Sequence, residues 1–481
     1  FWLKCYCPFW AMRLFLPTAV LADPGRTTCL NPVVENYVFN LEEAGDSASE
    51  LNGWQTVQVT DMQRHTARWI YQHDYIGNVC WPGQQNSTAA LMKLQCEYNR
   101  SSVWQVFERE DDPYSAPVPG SCSAKQATTR GLAYADTLGR LFAAQYAQPT
   151  APRPVSGLAG CPRGSVLLAS DSVQKNQRTT QSVYEGLCGR SPDVQEFPPP
   201  TVLVPAAPAP NTPFWLNAGI CTSTGVLPRL LAEAAAAFPS SPRWQQLTQA
   251  AERMAKVSGH PVPEGNRSAE LLDNVMDCAL VHTCSGLEDT PAVLLDAWGH
   301  PGGELFDTSN ELETFSRVWP LEYFKSKGAS AFQQFASLYY GYYFQVVLQR
   351  MRAMVAHHVS GGESPPAMII QVMSDGNISP QLAMLGLDQA AARRPPYLST
   401  LLFELLSKEG VFAVRTLYNG VVQRPCANQT GQLCPWGQFE ALLAQFVPQR
   451  KECPEFWNAW SGTRLRQGRR QEQPALESVF L

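Results

Sequence analysis

Residues 367–387, AMIIQVMSDGNISPQLAMLGL, decide the fold. The apolar run Ala367 to Met373 has the length of a strand buried on both faces, and it stops at Ser374-Asp375-Gly376. Apolar residues at helical spacing then continue through Leu385. Strand, short polar turn and helix make the unit of an α/β domain. A second such unit begins at Trp54 to Thr60 (WQTVQVT), a strand that runs into the charged cluster Arg64-His65-Thr66-Ala67-Arg68. The helical pattern Ala127 to Gln148 follows, and Ser165 to Ala169 with Thr179 to Leu187 reads as another strand, loop and helix. Two further strand-like runs, Leu398 to Leu406 and Val411 to Leu417, come after the decisive segment.

The rest of the chain divides around these units. Residues 191–213 are proline-rich, which disfavours helix and central strand and predicts an extended surface connection between an α/β part at 23–190 and a mostly helical insertion at 214–360. Inside the insertion, Leu227 to Val257, Ala269 to Val281 and Leu312 to His357 carry helical patterns, and ASLYYGYYFQVVLQRMRAMVAHH (336–358) reads as one long amphipathic helix. The second α/β part spans 361–460, and the arginine-bearing polar segment 461–481 reads as a flexible tail.

With 481 residues and 44% hydrophobic content the chain can bury a large core, as one domain with an insertion or as two. A net charge of −5 with only 16% charged residues offers no broad basic face, which argues against a nucleic-acid partner. The 14 cysteines are spread out rather than set in CxxC knuckles, so disulfides are expected and no metal site. No phosphate-binding loop, zinc-protease helix or nucleophile elbow calls for a cofactor. Sequons begin at Asn86, Asn99, Asn266, Asn377 and Asn428. Met12-Arg13, an apolar run Leu14 to Ala22 and a small-residue end read as a leader over 1–22, cut after Ala22. Together these predict a secreted or secretory-lumen protein without a stable membrane span. The rival reading of the leader as a type II anchor meets Arg13 and Pro17 inside the stretch.

The cluster at the end of the first strand can do chemistry. An imidazole attacks a phosphoryl group while flanking guanidiniums hold its oxygens. The same residues also suit a plain surface ion-pair cluster. Asp375 has two readings as well, a reacting carboxyl or the N-cap of its helix.

WQTVQVTDMQRHTARW (54–69) resembles the RHGxRxP motif of the histidine acid phosphatases, with Arg64, His65 and Arg68 in place, Thr66 where that family has Gly and Ile70 where it has Pro. Residues 367–387, RPPYLSTLLFEL (394–405) and VRTLYNG (414–420) resemble the family's C-terminal signature, and LLASDSVQKNQRTTQSVYEGL (167–187) its segment with a third phosphate-binding arginine, here Arg178. The contexts LLDNVMDCALVHTC (271–284), RPC, LCP and KEC are similar to those of the phosphoxylose phosphatase branch. The resemblance implies a mixed sheet core flanked by helices with an inserted, mostly helical smaller domain. It also implies a phosphomonoester substrate or ligand, His65 as nucleophile, Arg64, Arg68 and Arg178 as phosphoryl clamps, and Asp375 as proton donor. Ser374 departs from the family, which has histidine there. Losing one preorganised donor costs on the order of 10²–10³ in rate, about 3–4 kcal/mol. Impaired hydrolysis through a phosphohistidine, or a catalytically inactive pseudophosphatase with a binding or structural role, are the two functional expectations.

Overall fold

Ten residues, Gln55–Arg64, form strand β1, buried along all but its first position. A strand covered on both faces lies inside a sheet, and β1 is flanked by β4 (Met368–Met373), parallel to it, and β5 (Thr400–Lys408), antiparallel. In this computed structural model the described residues are 31, 33–34, 50–69, 126–170, 174–189, 202–203, 221, 224–261, 267–284, 304–454 and 457. The leader, Ile70, the sequons at Asn86, Asn99 and Asn266, the tail and all of 191–213 except Val202–Leu203 lie outside them.

The remaining strands are β2 (Val166–Ser170), β3 (Val202–Leu203), β6 (Val411–Tyr418), β7 (Val421–Gln423) and β8 (Leu433–Pro435), giving one mixed sheet in the order β3-β2-β4-β1-β5-β6-β7 with β8 also on β6. The proline-rich stretch, expected as a connection only, thus supplies an edge strand parallel to β2. That position suits it, because an edge strand tolerates missing N–H donors. Helices α1 (Thr129–Phe142) and α2 (Gln174–Cys188) cover one face of the sheet. They touch backbone to backbone: a Cβ on Gly139 would stand 2.0 Å from the Val183 carbonyl oxygen, and one on Gly186 would stand 2.1 Å from that of Asp136. Only glycine fits at either position.

Between β3 and β4 come α3 (Val226–Ala237), α4 (Trp244–Ser258), α5 (Arg267–Cys284), α6 (Glu304–Ser326) and α7 (Ala329–Ser360). The helical run expected over Leu312 to His357 is two helices, broken at Gly328, whose φ of 110° suits glycine. The amphipathic reading of 336–358 needs correction. From Phe335 to Leu348 only Tyr339 escapes full burial, because α7 packs between the sheet and its fellow helices. Phe335, Tyr343 and Phe344 share one core with Met62, Leu401 and Phe403. Helices α4 and α5 lie further out, where Leu247, Met254, Leu272 and Met276 are buried outside both sheet cores. After β4 comes α8 (Asp375–Met384), with short α9 (Asp388–Ala391) and, near the end, α10 (Trp436–Ala444).

Disulfides fasten the periphery: Cys161–Cys188, Cys426–Cys434 and Cys221–Cys453, the last bridging 232 residues and tying the approach to α3 to the C-terminal region. A link over so long a loop contributes about 2–5 kcal/mol by restricting the unfolded chain. Cys278 and Cys284 are also disulfide-bonded.

Asp61 sits inside β1, fully buried, with neither carboxyl oxygen hydrogen-bonded. Burial alone pushes its carboxyl well above the usual range. The stability tied to it is therefore complete below the ordinary value of 3.8 and falls as pH rises through the folded-state value. Asp61→Asn is expected to unfold at higher denaturant concentration than wild type at pH 7. Urea titrations at a series of pH values should show that advantage shrinking towards zero as pH approaches 3.8.

Candidate active site

The register of β1 on β4 builds the site. Arg64 and Met373 are partners across the parallel pair, so the next residues, His65 and Ser374-Asp375, leave the sheet side by side at the strands' carboxyl ends. Backbone bonds fix the exit: His65 N–H donates to the Met373 carbonyl at 2.9 Å, Arg64 N–H to Ser399 at 2.8 Å, and Leu398 N–H to His65 at 3.3 Å. Carboxyl ends of parallel strands are where open α/β sheets place their ligand sites.

The His65 imidazole is oriented by its own loop. Nδ1 lies 2.8 Å from the Thr66 carbonyl oxygen, which can only accept, so Nδ1 carries the proton. Burial first, then the charges of Lys175, Arg64 and Arg68, push this imidazole well below its ordinary value, with Asp375 opposing. A neutral ring with Nδ1 protonated leaves a lone pair on Nε2, and Nε2 has no hydrogen-bond partner. Thr66, which stands where the resembled family has Gly, anchors the loop. Its hydroxyl donates to the Gly131 carbonyl at 2.6 Å and its N–H to Thr179 Oγ1 at 3.0 Å. Thr66 is not among the positive-φ residues, so glycine's freedom is not needed here.

Asp375 lies at the focus of three guanidiniums. Arg394 Nε donates to Oδ2 at 2.6 Å, Arg64 Nη2 lies 3.3 Å from Oδ2, and Arg317 Nη1 lies 3.4 Å from Oδ1. Burial favours the neutral acid, but Arg394, Arg64 and Arg317 outweigh it and hold the carboxyl well below the usual range. The helix N-cap is Ser374, with Asp375 the first residue of α8, which corrects the N-cap reading of Asp375. Asn377 Oδ1 accepts from Ser374 N–H at 3.2 Å and Asn377 Nδ2 donates to the Tyr343 hydroxyl at 2.8 Å. This buried, doubly engaged amide is closed to glycosylation in the folded chain, whereas Asn428 is exposed.

Arg64 donates to the Pro395 carbonyl and stacks its guanidinium 4.2 Å above the Tyr397 ring. Arg68 forks onto Asp277 of α5 at 2.7 and 3.1 Å. Glu313 of α6 pairs with Arg317 one turn along and with Arg394 at 3.7 Å. Arg178 is buried on α2, where Nη1 donates to Gln181 at 3.1 Å. Arg64, His65, Arg68 and Asp375 are therefore together, with Lys175 near enough to act on His65. The sequence reading missed Asp277, Glu313, Arg317, Arg394 and Tyr397. Two signals were available: Asp277 sits in the apolar run VMDCALV, and Glu313 and Arg317 are spaced i,i+4. A surface cleft of about 730 Å³ is lined elsewhere, by residues that include Glu50, Asn428 and Gln438, and none of the cluster lines it.

No family model and no curated protein matches the sequence. Among solved structures, a phytase from Citrobacter braakii is similar over 83% of this chain and 99% of its own, at 13% identity and a TM-score of 0.50. The apo phytase of Hafnia alvei is similar over 84% and 98%, at 15% identity and a TM-score of 0.50. The fold is thus the histidine acid phosphatase and phytase fold, a mixed sheet with flanking helices, as the sequence predicted.

Buried ion pairs are costly to break singly, because the surviving charge is stranded. Asp277→Asn is expected to lower unfolding free energy by about 3–5 kcal/mol. Arg68→Met combined with Asp277→Leu should lose much less, and a double-mutant cycle in urea measures the difference.

Proposed function

We propose that this protein is a histidine acid phosphatase-type phosphohydrolase that works through a phosphorylated His65, with its proton-donating half weakened. The observation that carries the reading is His65 itself: Nδ1 fixed on Thr66, Nε2 buried without a partner, and the ring kept neutral by burial first and then by the charges of Lys175, Arg64 and Arg68. That arrangement suits in-line attack of Nε2 on phosphorus with guanidiniums stabilising the phosphoryl oxygens. Arg64, Arg68 and Arg178 are the clamps in this reading, and Asp375 remains the candidate proton donor at the leaving group. Two features weaken the donor side. Ser374 stands where the family has a second histidine, and three guanidiniums hold Asp375 as a carboxylate.

The alternative, a pseudophosphatase that binds rather than hydrolyses, is favoured by one observation. The Arg68 fork is already filled by Asp277, and both side chains are more than nine-tenths buried. The phosphoxylose phosphatase branch rests on sequence contexts alone. Passage through the secretory pathway is part of this proposal, supported by the disulfides and the accessible Asn428 sequon. Among the described residues no helix is long and apolar enough to cross a membrane.

The test is phosphate trapping. An activated aryl phosphate should leave alkali-stable, acid-labile phosphate on the wild-type chain and none on His65→Ala. Because the imidazole is held well below 6.5, single-turnover phosphorylation should stay fast as pH falls through 6.5. A rate that drops with an ordinary imidazole titration, or label on both proteins, removes the reading, and no label on either favours the pseudophosphatase.

A further inference from the structure

The three guanidiniums on Asp375 bear on which phosphoryl donors this site accepts, a question that rests on the phosphohistidine reading above. Cleaving an alkyl phosphate requires a proton for the alkoxide as the P–O bond breaks, and general acid catalysis there is worth ~10²–10⁴-fold. Cleaving an acyl phosphate or an acidic aryl phosphate requires none, because the carboxylate or phenolate departs as a stable anion.

We propose that the site selects phosphoryl donors whose leaving group departs as a stable anion, acyl phosphates above all, and discriminates against alkyl phosphomonoesters. Arg394, Arg64 and Arg317 at 2.6, 3.3 and 3.4 Å bind the Asp375 carboxyl as an ion-pair partner instead of leaving it to face a leaving oxygen. Arg394 makes the shortest contact, and it is itself nearly fully buried, held between Asp375, Glu313 and Asp277. It cannot swing away without stranding charge on those partners. The neighbouring Ser374 offers a hydroxyl, too weak an acid to replace a carboxylic proton.

The reaction balances without an acid. The Nε2 lone pair forms the N–P bond, the P–O bond breaks, and its electron pair leaves with the acylate or phenolate. Nδ1 keeps its proton on Thr66, so the phosphorylated ring carries one positive charge against the phosphoryl's two negative ones. Water oxygen then attacks phosphorus, the N–P pair returns to Nε2, and both water protons leave on dihydrogen phosphate.

The experiment is a donor series on the full chain: acetyl phosphate, aryl phosphates of graded phenol acidity, and ethyl phosphate, read as single-turnover phosphorylation of His65. Rates are expected to fall steeply with leaving-group basicity, close to the slope of the uncatalysed reaction, so that the acceleration over the uncatalysed rate is no larger for ethyl phosphate than for 4-nitrophenyl phosphate. A shallow slope, with ethyl phosphate accelerated over its uncatalysed rate by ~10²–10⁴-fold more than 4-nitrophenyl phosphate, overturns the proposal while leaving the phosphohistidine reading intact. Tyr397, whose ring centroid lies 5.9 Å from that of His65, would then be the proton source to test. If no donor labels His65 although orthovanadate still binds, the phosphohistidine reading falls and this one with it. Arg394→Gln should raise the ethyl to aryl ratio by releasing Asp375. If that variant does not fold, the wild-type slope decides alone.

Discussion

The parallel pairing of β1 with β4 is the constraint on which the rest depends. Six consecutive register partners, Val59 with Met368 through Arg64 with Met373, set the two strand ends level. A slip of one residue would turn every side chain of β1 to the other face. That would bury Arg64 where Gln63 now lies and carry His65 away from Asp375. The register is held from the other side too, because β5 pairs antiparallel with β1 and lays Ser399 and Leu398 against the backbone of Arg64 and His65. Further along β5, Glu404 faces its register partner Arg415 of β6 at 3.3 Å and accepts from the Tyr146 hydroxyl at 2.6 Å, all three nearly fully buried. A buried charge pair of this kind has little tolerance for alternative registers, because a slip would strand both charges.

The helices inserted between β3 and β4 complete the site electrically. Among the described residues, the ends of β1 and β4 and the loop before β5 supply the cations Arg64, Arg68 and Arg394 and one carboxylate, Asp375. Asp277 on α5 and Glu313 on α6 provide the balance. Arg68, Arg64 and Arg394 could not stay buried as a bare group of positive charges, since desolvation costs several kcal/mol per ion. Docking α5 and α6 is thus coupled to closing the site, and any ligand that competes for Arg68 acts on the helices as well as on the strand ends.

Most of the fold was legible in the sequence because its strands are apolar runs with sharp polar ends: 367–373, 54–60 and 398–406 all lie within a few residues of observed strands. His65, Arg64, Arg68 and Asp375 were legible because they sit in or directly after those strands, where local sequence fixes position. The carboxylates on α5 and α6 were not. Asp277 lies 209 residues from Arg68, and nothing local to either residue encodes a contact over that distance. Burial on nearly all sides of α7 was also hidden, since an amphipathic pattern reports one apolar face and is silent on the sheet and helices that enclose Tyr340, Tyr342 and Tyr343 together. Val202–Leu203 was missed because proline-rich composition reports a poor central strand and is silent on an edge.

Charge counting around His65 links the closed state to a ligand. Among the described residues, Arg64, Arg68, Arg317 and Arg394 pair with the carboxylates of Asp277, Glu313 and Asp375, and Lys175 is a fifth cation whose charge acts on His65, whose imidazole is held neutral. In the phosphohistidine reading Arg178 is a sixth cation, and six cations against three anions leave an excess that admits a phosphate monoester dianion with no carboxylate expelled. The donors are the scarcer resource, since the Arg68 fork is engaged by Asp277 and Arg394 by Asp375. In the proposed reading phosphate entry must rearrange hydrogen bonds while improving the charge balance, and the phosphoryl group would compete with the internal carboxylates mainly through the third oxygen that it has and a carboxylate lacks.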